Sequence, residues 1–392
     1  MQRNFRSQSY KEQQAEDRRK RRLRQAILAA IALALAITGL VLWLQSMGST
    51  TGVSVTMLPC RADQDVTIFG DNILYYDNAS IHCVTPSGTI KWSFTVGYGA
   101  SFSCSDKVMV AWNGTQLYIV DANGKPTYND SLGTEIQFAR AGTNYVAVVC
   151  NPKEARVLDT APDLIIKNLD GTQKDEEMDA FADKLLLDVG FYGENDQYMW
   201  TLSMDIYGTA LNSVLHTFQV DRFNTGEADL GQYLVYKVLF TNNKLLVFTT
   251  QQMYTFDYKA TLDQNATQLV YGWQLIDSCD VPNRDANLLL ASNAQLNGST
   301  QSLRELRVIS GSQDRRYTLP TACVGAGITT DYLYAFSSDY VYCANMGEMR
   351  LYGYPLPLPD NVYTTDFVGL TANNRAVITC GDSVYAVTLP QQ

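Results

Sequence analysis

Tyr332-Leu333-Tyr334-Ala335-Phe336-Ser337-Ser338-Asp339-Tyr340-Val341-Tyr342-Cys343-Ala344-Asn345-Met346-Gly347 holds two apolar runs, a polar turn between them and a glycine turn after them. Such runs, rich in Tyr, Val, Leu and Phe and bounded by Asn, Asp, Ser and Gly, read as short strands joined by tight turns. The first run has counterparts starting at Ile73, Val108, Tyr145, Tyr198, Leu245, Leu288 and Ala376. With Tyr332 included, successive starts lie 35, 37, 53, 47, 43, 44 and 44 residues apart. A strand-bearing period in the forties is the mark of a β-propeller in which each repeat forms one four-stranded blade.

The second run is an aromatic, a small residue and an apolar residue before a polar turn. It recurs from Tyr118, Phe218, Tyr254 and Tyr385, and His82-Cys83-Val84-Thr85 stands in its place in the first repeat. Glycine turns at Ser87-Gly88, Asn123-Gly124, Asp170-Gly171, Thr225-Gly226 and Met346-Gly347 then open the outer strand. The predicted fold is an all-β propeller of about eight four-stranded blades over residues 53–392. Seven blades with an insertion is the alternative, because the interval from Tyr145 to Tyr198 is long and contains the polar stretch Thr172 to Asp179, read as a loop or long outer hairpin. The last repeat ends at Leu389 before it can supply an outer strand. Val53 to Leu58 is therefore expected to close the ring as that strand, since closure removes exposed sheet edges.

Ahead of the repeats, Ala26 to Leu44 is nineteen residues without a charge, long enough to cross a ~30 Å hydrocarbon core as a transmembrane helix. Residues 1–25 form a basic arm with nine Lys or Arg against three acids, net +6, which leaves −16 of the total of −10 for the rest. Arg18, Arg19, Lys20, Arg21, Arg22 and Arg24 lie beside the span and are the topology-determining residues. Positive charge is retained in the cytoplasm, so the chain is expected in the cell membrane as a single-pass protein with its N-terminus cytoplasmic and its C-terminal domain extracellular. The apolar stretch exceeds the 7 to 15 residues usual in a signal peptide and no A-x-A-like site follows it, which favours an uncleaved anchor. Residues 45–52 have the composition of a tether. Ala26, Ala30 and Ala34 make a small-residue face through which two spans could form a weak homodimer within the lipid bilayer.

Thr85-Pro86-Ser87-Gly88-Thr89-Ile90-Lys91-Trp92 resembles the D-x-x-G-x-x-x-W stretch of the pyrroloquinoline-quinone-like propeller repeat. Asp121-Ala122-Asn123-Gly124-Lys125-Pro126-Thr127-Tyr128 resembles it with Tyr in place of Trp. With the basic arm and the span, nearly the whole chain resembles a family of single-span membrane proteins of Gram-positive bacteria that carry a C-terminal propeller of this kind. The resemblance implies an architecture rather than a chemistry. Quinoproteins of this fold carry an adjacent cysteine pair and repeated docking tryptophans, whereas here no cysteines adjoin and Trp112, Trp200 and Trp273 fall outside the motif.

Two histidines limit acid-base and metal chemistry. His82 is expected to replace a packing aromatic, and His216 to be structural or at the surface. The eight cysteines, at 60, 83, 104, 150, 279, 323, 343 and 380, include no C-x-x-C and occupy repeat-equivalent positions, which marks most of them as packed thiols; Cys343 and Cys380, in adjacent blades, are the candidates for a bridge. Asp175, Glu176, Glu177 and Asp179 read as a solvated acidic face. Asn78, Asn113, Asn129, Asn265 and Asn297 sit in N-x-S/T sequons but are read as turn chemistry. No G-x-S-x-G, H-E-x-x-H or phosphate loop occurs, and the negative charge disfavours nucleic acid. No catalytic, cofactor or metal site is expected. The leading expectation is a non-enzymatic, membrane-anchored scaffold that binds an envelope protein or peptide. The alternatives are an extracellular glycan or small-molecule sensor, with tyrosines for sugar stacking, and a degenerate quinoprotein-type enzyme.

Overall fold

Each of the eight apolar runs becomes the second strand of a four-stranded antiparallel blade in the computed structural model, and the eight blades follow one another along the chain. The described residues are 52–391 except 152–162, 178–180, 182–183, 206–207 and 297–301. Ala26 to Leu44, the basic arm with Arg18 to Arg24, and residues 45–51 of the tether lie outside them. Among the described residues no helix is long and apolar enough to cross a membrane.

Blades 1 to 7 occupy residues 65–95, 101–131, 136–177, 184–229, 235–269, 273–323 and 325–355, with the strands of each in chain order from innermost to outermost. Blade 8 takes three strands from residues 366–388 and its outermost strand, Ser54–Arg61, from the other end of the propeller. That strand pairs antiparallel with Ser383–Thr388 in the register Ser54 to Thr388 and Met57 to Tyr385. The expected closure is therefore present, and it runs three residues beyond Leu58.

The second strands are predominantly apolar because each lies between two neighbouring blades and buries both of its faces; Ile73, Val110, Val148, Val247 and Leu289 are all fully buried. Outermost strands such as Ile90–Thr95 alternate between exposed and half-buried positions instead. The interval from Tyr145 to Tyr198 does not reduce the count to seven. Its extra length is the connection between the second strand of blade 3, Tyr145–Cys150, and the third, Asp163–Asn168. The stretch from Thr172, read as a loop or long outer hairpin, holds the outermost strand of such a hairpin, Gln173–Glu177, whose five polar side chains give no apolar periodicity. Thr225-Gly226 likewise lies inside the outermost strand Phe223–Asp229 rather than before it, because the strand starts early and a register shift leaves Thr225 as the extra residue while Gly226 pairs with Thr217.

Neighbouring innermost strands are fastened by side chains. Arg140 of blade 3 donates through Nε to Asp188 of blade 4 at 2.8 Å. Asp277, beside a register shift in blade 6, accepts the Ile328 N–H of blade 7 through Oδ2 at 2.8 Å and the Ser278 N–H through Oδ1. Burial with no cation in contact pushes the Asp277 carboxyl up to about 6, and the two N–H donors only partly offset this. The unfolded chain releases this proton near pH 3.8, before the folded one does. The residue's stabilising contribution is thus complete below pH 3.8 and is lost as pH rises through 6, by no more than about 3 kcal/mol. Unfolding measured from pH 4 to 7 should show this downward slope, and Asp277→Asn should flatten it.

Candidate functional site

Alternating strand directions give the propeller two loop faces. The turns between first and second strands and between third and fourth strands share one face. The chain enters the propeller there, because Ser54 stands opposite Thr388 at the end of a third strand. We call it the N-terminal face. The turns between second and third strands and the connections from blade to blade form the opposite, crossover face.

The two histidines lie apart. His82 occupies the strand position of Tyr118 and stacks on Tyr75 at 4.7 Å, as a packing aromatic would. It also does what a tyrosine could not, since Nε2 meets Asp77 Oδ2 at 2.8 Å and Nδ1 meets Ser93 Oγ at 2.7 Å. The His82 hydrogen bond, followed by the Ser80 N–H, draws the Asp77 carboxyl down to about 2. Asp77, His82 and Ser93 thus have the order of a carboxylate, base and hydroxyl. Ser93, however, is exposed on an outermost strand directly across from His82, and the ring nitrogens are exchanged relative to the serine-hydrolase template. The arrangement ties the second-to-third turn of blade 1 to its outermost strand. His216 is buried beside Phe181 and Phe218, with Nε2 3.3 Å from Glu227. Burial, then the Lys184 ammonium, press it below its ordinary value.

No disulfide joins any of the eight cysteines. Cys343 and Cys380 share the buried cluster between blades 7 and 8 without a bridge. Burial pushes the thiols of Cys60, Cys83, Cys104, Cys343 and Cys380 up to about 11 and that of Cys323 to about 12, which suppresses the reactive thiolate. Denatured, unreduced protein should titrate with all eight thiols, and the folded protein should react far more slowly at pH 8. Bridged cysteines in mass spectra would contradict this.

Asp175 accepts the Asp221 N–H at 2.7 Å, and Lys174 pairs with Asp221. Asp179 lies outside the described residues, among which no group of three ligand-type side chains converges. Of the sequon residues, Asn78 takes a left-handed turn conformation at φ 72° and Asn265 sits in a turn. Asn113 and Asn129 lie in strands instead, where Asn113 caps the neighbouring connection through the carbonyls of Val96 and Tyr98. Asn297 is outside the described residues.

On the N-terminal face a polar cleft of about 650 Å³ opens over blades 5 to 7, with Arg284, Arg315, Asn287, Asp285 and Asp331 in its wall. A second cavity, of about 720 Å³, is walled by the innermost strands of blades 1 to 3 through Asp65, Thr67, Ser101, Ser103 and Arg140. Tyrosine lines neither. The exposed tyrosines lie chiefly on the crossover face: Tyr98 (84% exposed), Tyr233, Tyr271 (73%), Tyr340 and Tyr363, with exposed Leu234 next to Tyr233 and exposed Leu211 in another connection of that face. Sequence reading had no access to this grouping, because the residues come from connections in different repeats that only the closed ring brings to one side.

No protein-family model matches the chain, and no curated protein matches it. Among solved structures it is similar to Sqt1 of Saccharomyces cerevisiae, with 10% identity and a TM-score of 0.53 over 86% of this chain and 100% of that one. It is also similar to BamB of Moraxella catarrhalis, with 12% identity and a TM-score of 0.49 over 86% and 98%. AztD of Citrobacter koseri matches with 10% identity and a TM-score of 0.46 over 75% and 86%. At such identity the likeness to Sqt1 concerns the propeller fold alone.

Proposed function

We propose that this protein is a membrane-anchored, extracytoplasmic β-propeller that acts as a protein-interaction scaffold in the cell envelope, without enzymatic activity. The observation that carries the reading is the presence on the crossover face of Tyr98, Tyr233, Leu234, Tyr271, Tyr340 and Tyr363, all exposed, since aromatic side chains are enriched at protein-interaction surfaces. The anchor rests on the uncharged stretch from Ala26 to Leu44, and the orientation on Arg18 to Arg24. Crosslinking in intact cells followed by copurification should recover one reproducible envelope partner, and repeated failure would count against the scaffold. Protease added to spheroplasts should remove the propeller and spare the basic arm; an accessible N-terminus would refute the orientation.

The polar cleft with Arg284 and Arg315 favours a second reading, a sensor of a glycan or small anionic molecule. It requires that a glycan array probed with the purified protein give hits that Arg284→Ala abolishes.

A further inference from the structure

The two faces differ in charge as well as in apolar content. On the N-terminal face exposed cations, among them Lys107, Lys125, Arg222, Lys259, Arg284 and Arg350, are interspersed among somewhat more numerous exposed acids, including Asp71, Asp106, Asp170, Glu194, Asp221, Asp263, Asp280, Asp331 and Glu348. On the crossover face Asp63, Asp77, Glu135, Asp229, Asp339 and Asp382 are all exposed. The exposed cations there, among the described residues, are Arg61, Lys237 and Arg304, and Arg61 is already paired with Asp63 at 3.1 Å. The surface that displays the tyrosines therefore carries a surplus of negative charge, and its partner must bring the opposite sign.

We propose that the crossover face docks a cationic segment of a partner protein in which Lys or Arg side chains alternate with aliphatic or aromatic ones. The inference rests on the scaffold reading and names the chemistry of its partner. Exposed tyrosines suit both components of such a segment. Their rings offer apolar area at low conformational cost and a negative face to ammonium or guanidinium groups, while the surrounding carboxylates steer a cationic chain toward them. An acidic segment would meet like charge over most of this surface. On the N-terminal face the interspersed cations leave a smaller excess of negative charge and weaken that preference.

The test uses the full-length protein in detergent and two fluorescent synthetic peptides of equal length, one alternating Lys with Leu and Trp, the other identical with Glu for Lys. The Lys peptide is expected to bind at least about 10-fold more tightly than the Glu peptide, and to weaken about 10-fold as salt rises from 50 to 500 mM. The double substitution Tyr233→Ser and Tyr271→Ser, at exposed positions that leave the melting temperature unchanged, should weaken it at least about 10-fold. Arg284→Ala with Arg350→Ala should leave it unchanged. Equal affinity for the two peptides, or loss of binding through the arginine pair instead, overturns the proposal. In cells, a benzophenone side chain at position 271 should crosslink a partner and one at 350 should not. The reverse result overturns this face while leaving the scaffold reading intact, and adducts at neither position overturn both.

Discussion

A chain shortened to begin at Arg61 is expected to melt at least about 10 °C below one that begins at Gly52, and to associate on heating. The shortened chain keeps a single residue of the strand Ser54–Arg61. It loses Leu58 and Cys60, exposed by only 2% and 3%, from the cluster they form with Ile73, Val84, Val377 and Val384 between blades 8 and 1. Truncating one buried leucine costs about 2–5 kcal/mol. Removing the strand also uncovers the edge of Ser383–Thr388, a template for pairing with another chain. At about 2–4 °C per kcal/mol for domains of 150–250 residues, the packing loss alone accounts for much of the shift. Equal melting temperatures would show that the strand contributes nothing to the ring. Leu58→Ala in the longer chain should reproduce part of the loss without shortening the ladder.

Ring closure was legible because it follows from counting: eight second strands, and seven repeats with room for a fourth. The second strands themselves were legible because burial of both faces leaves them predominantly apolar, a signal that needs no periodicity. Innermost and outermost strands were harder to read. Gln173–Glu177 has four polar or charged residues and a lysine in five positions, since it owes its place to hydrogen bonding with Asp163–Asn168 rather than to its own side chains. The long connection after Cys150 mimicked a missing blade for a related reason, because loop length carries no record of which strands it joins.

The candidate surface was legible only as composition. Twenty-four tyrosines could be counted, but nothing local separates Tyr271, exposed in a connection between blades, from Tyr334, buried in a second strand. His82 was read correctly as standing where an aromatic belongs. Its hydrogen bonds could not be foreseen, because Asp77 and Ser93 reach it through a turn and a cross-strand register that become definite only once the blade is paired.

The resemblance in the glycine turns has a physical counterpart. Trp92, from the outermost strand of blade 1, lies against Gly124 in the turn of blade 2 and donates its indole N–H to the Ala122 carbonyl at 3.1 Å. Tyr128 repeats the arrangement one blade on, against Gly171, while Lys167 sits 5.0 Å over its ring and donates to the Gly171 carbonyl. Each aromatic thus fastens its blade to the next through a glycine that cannot carry a side chain, and substitution there should be costly for two separable reasons. Gly171 has φ +82°, so any Cβ pays a left-handed strain of about 1–2 kcal/mol. A Cβ would also stand 1.8 Å from Cδ2 of Tyr128, an overlap that must displace the ring and costs about a further 1–3 kcal/mol. Gly231, at φ +64° with nothing within 4 Å of a Cβ, carries the strain without the overlap. Gly171→Ala should therefore destabilise the protein, in denaturant unfolding, by at least about 1 kcal/mol more than Gly231→Ala does. Tyr128→Ala should absorb much of that excess when combined with it, because the ring that the methyl strikes has gone. Equal costs at the two glycines would mean that Tyr128 does not hold blade 2 to blade 3.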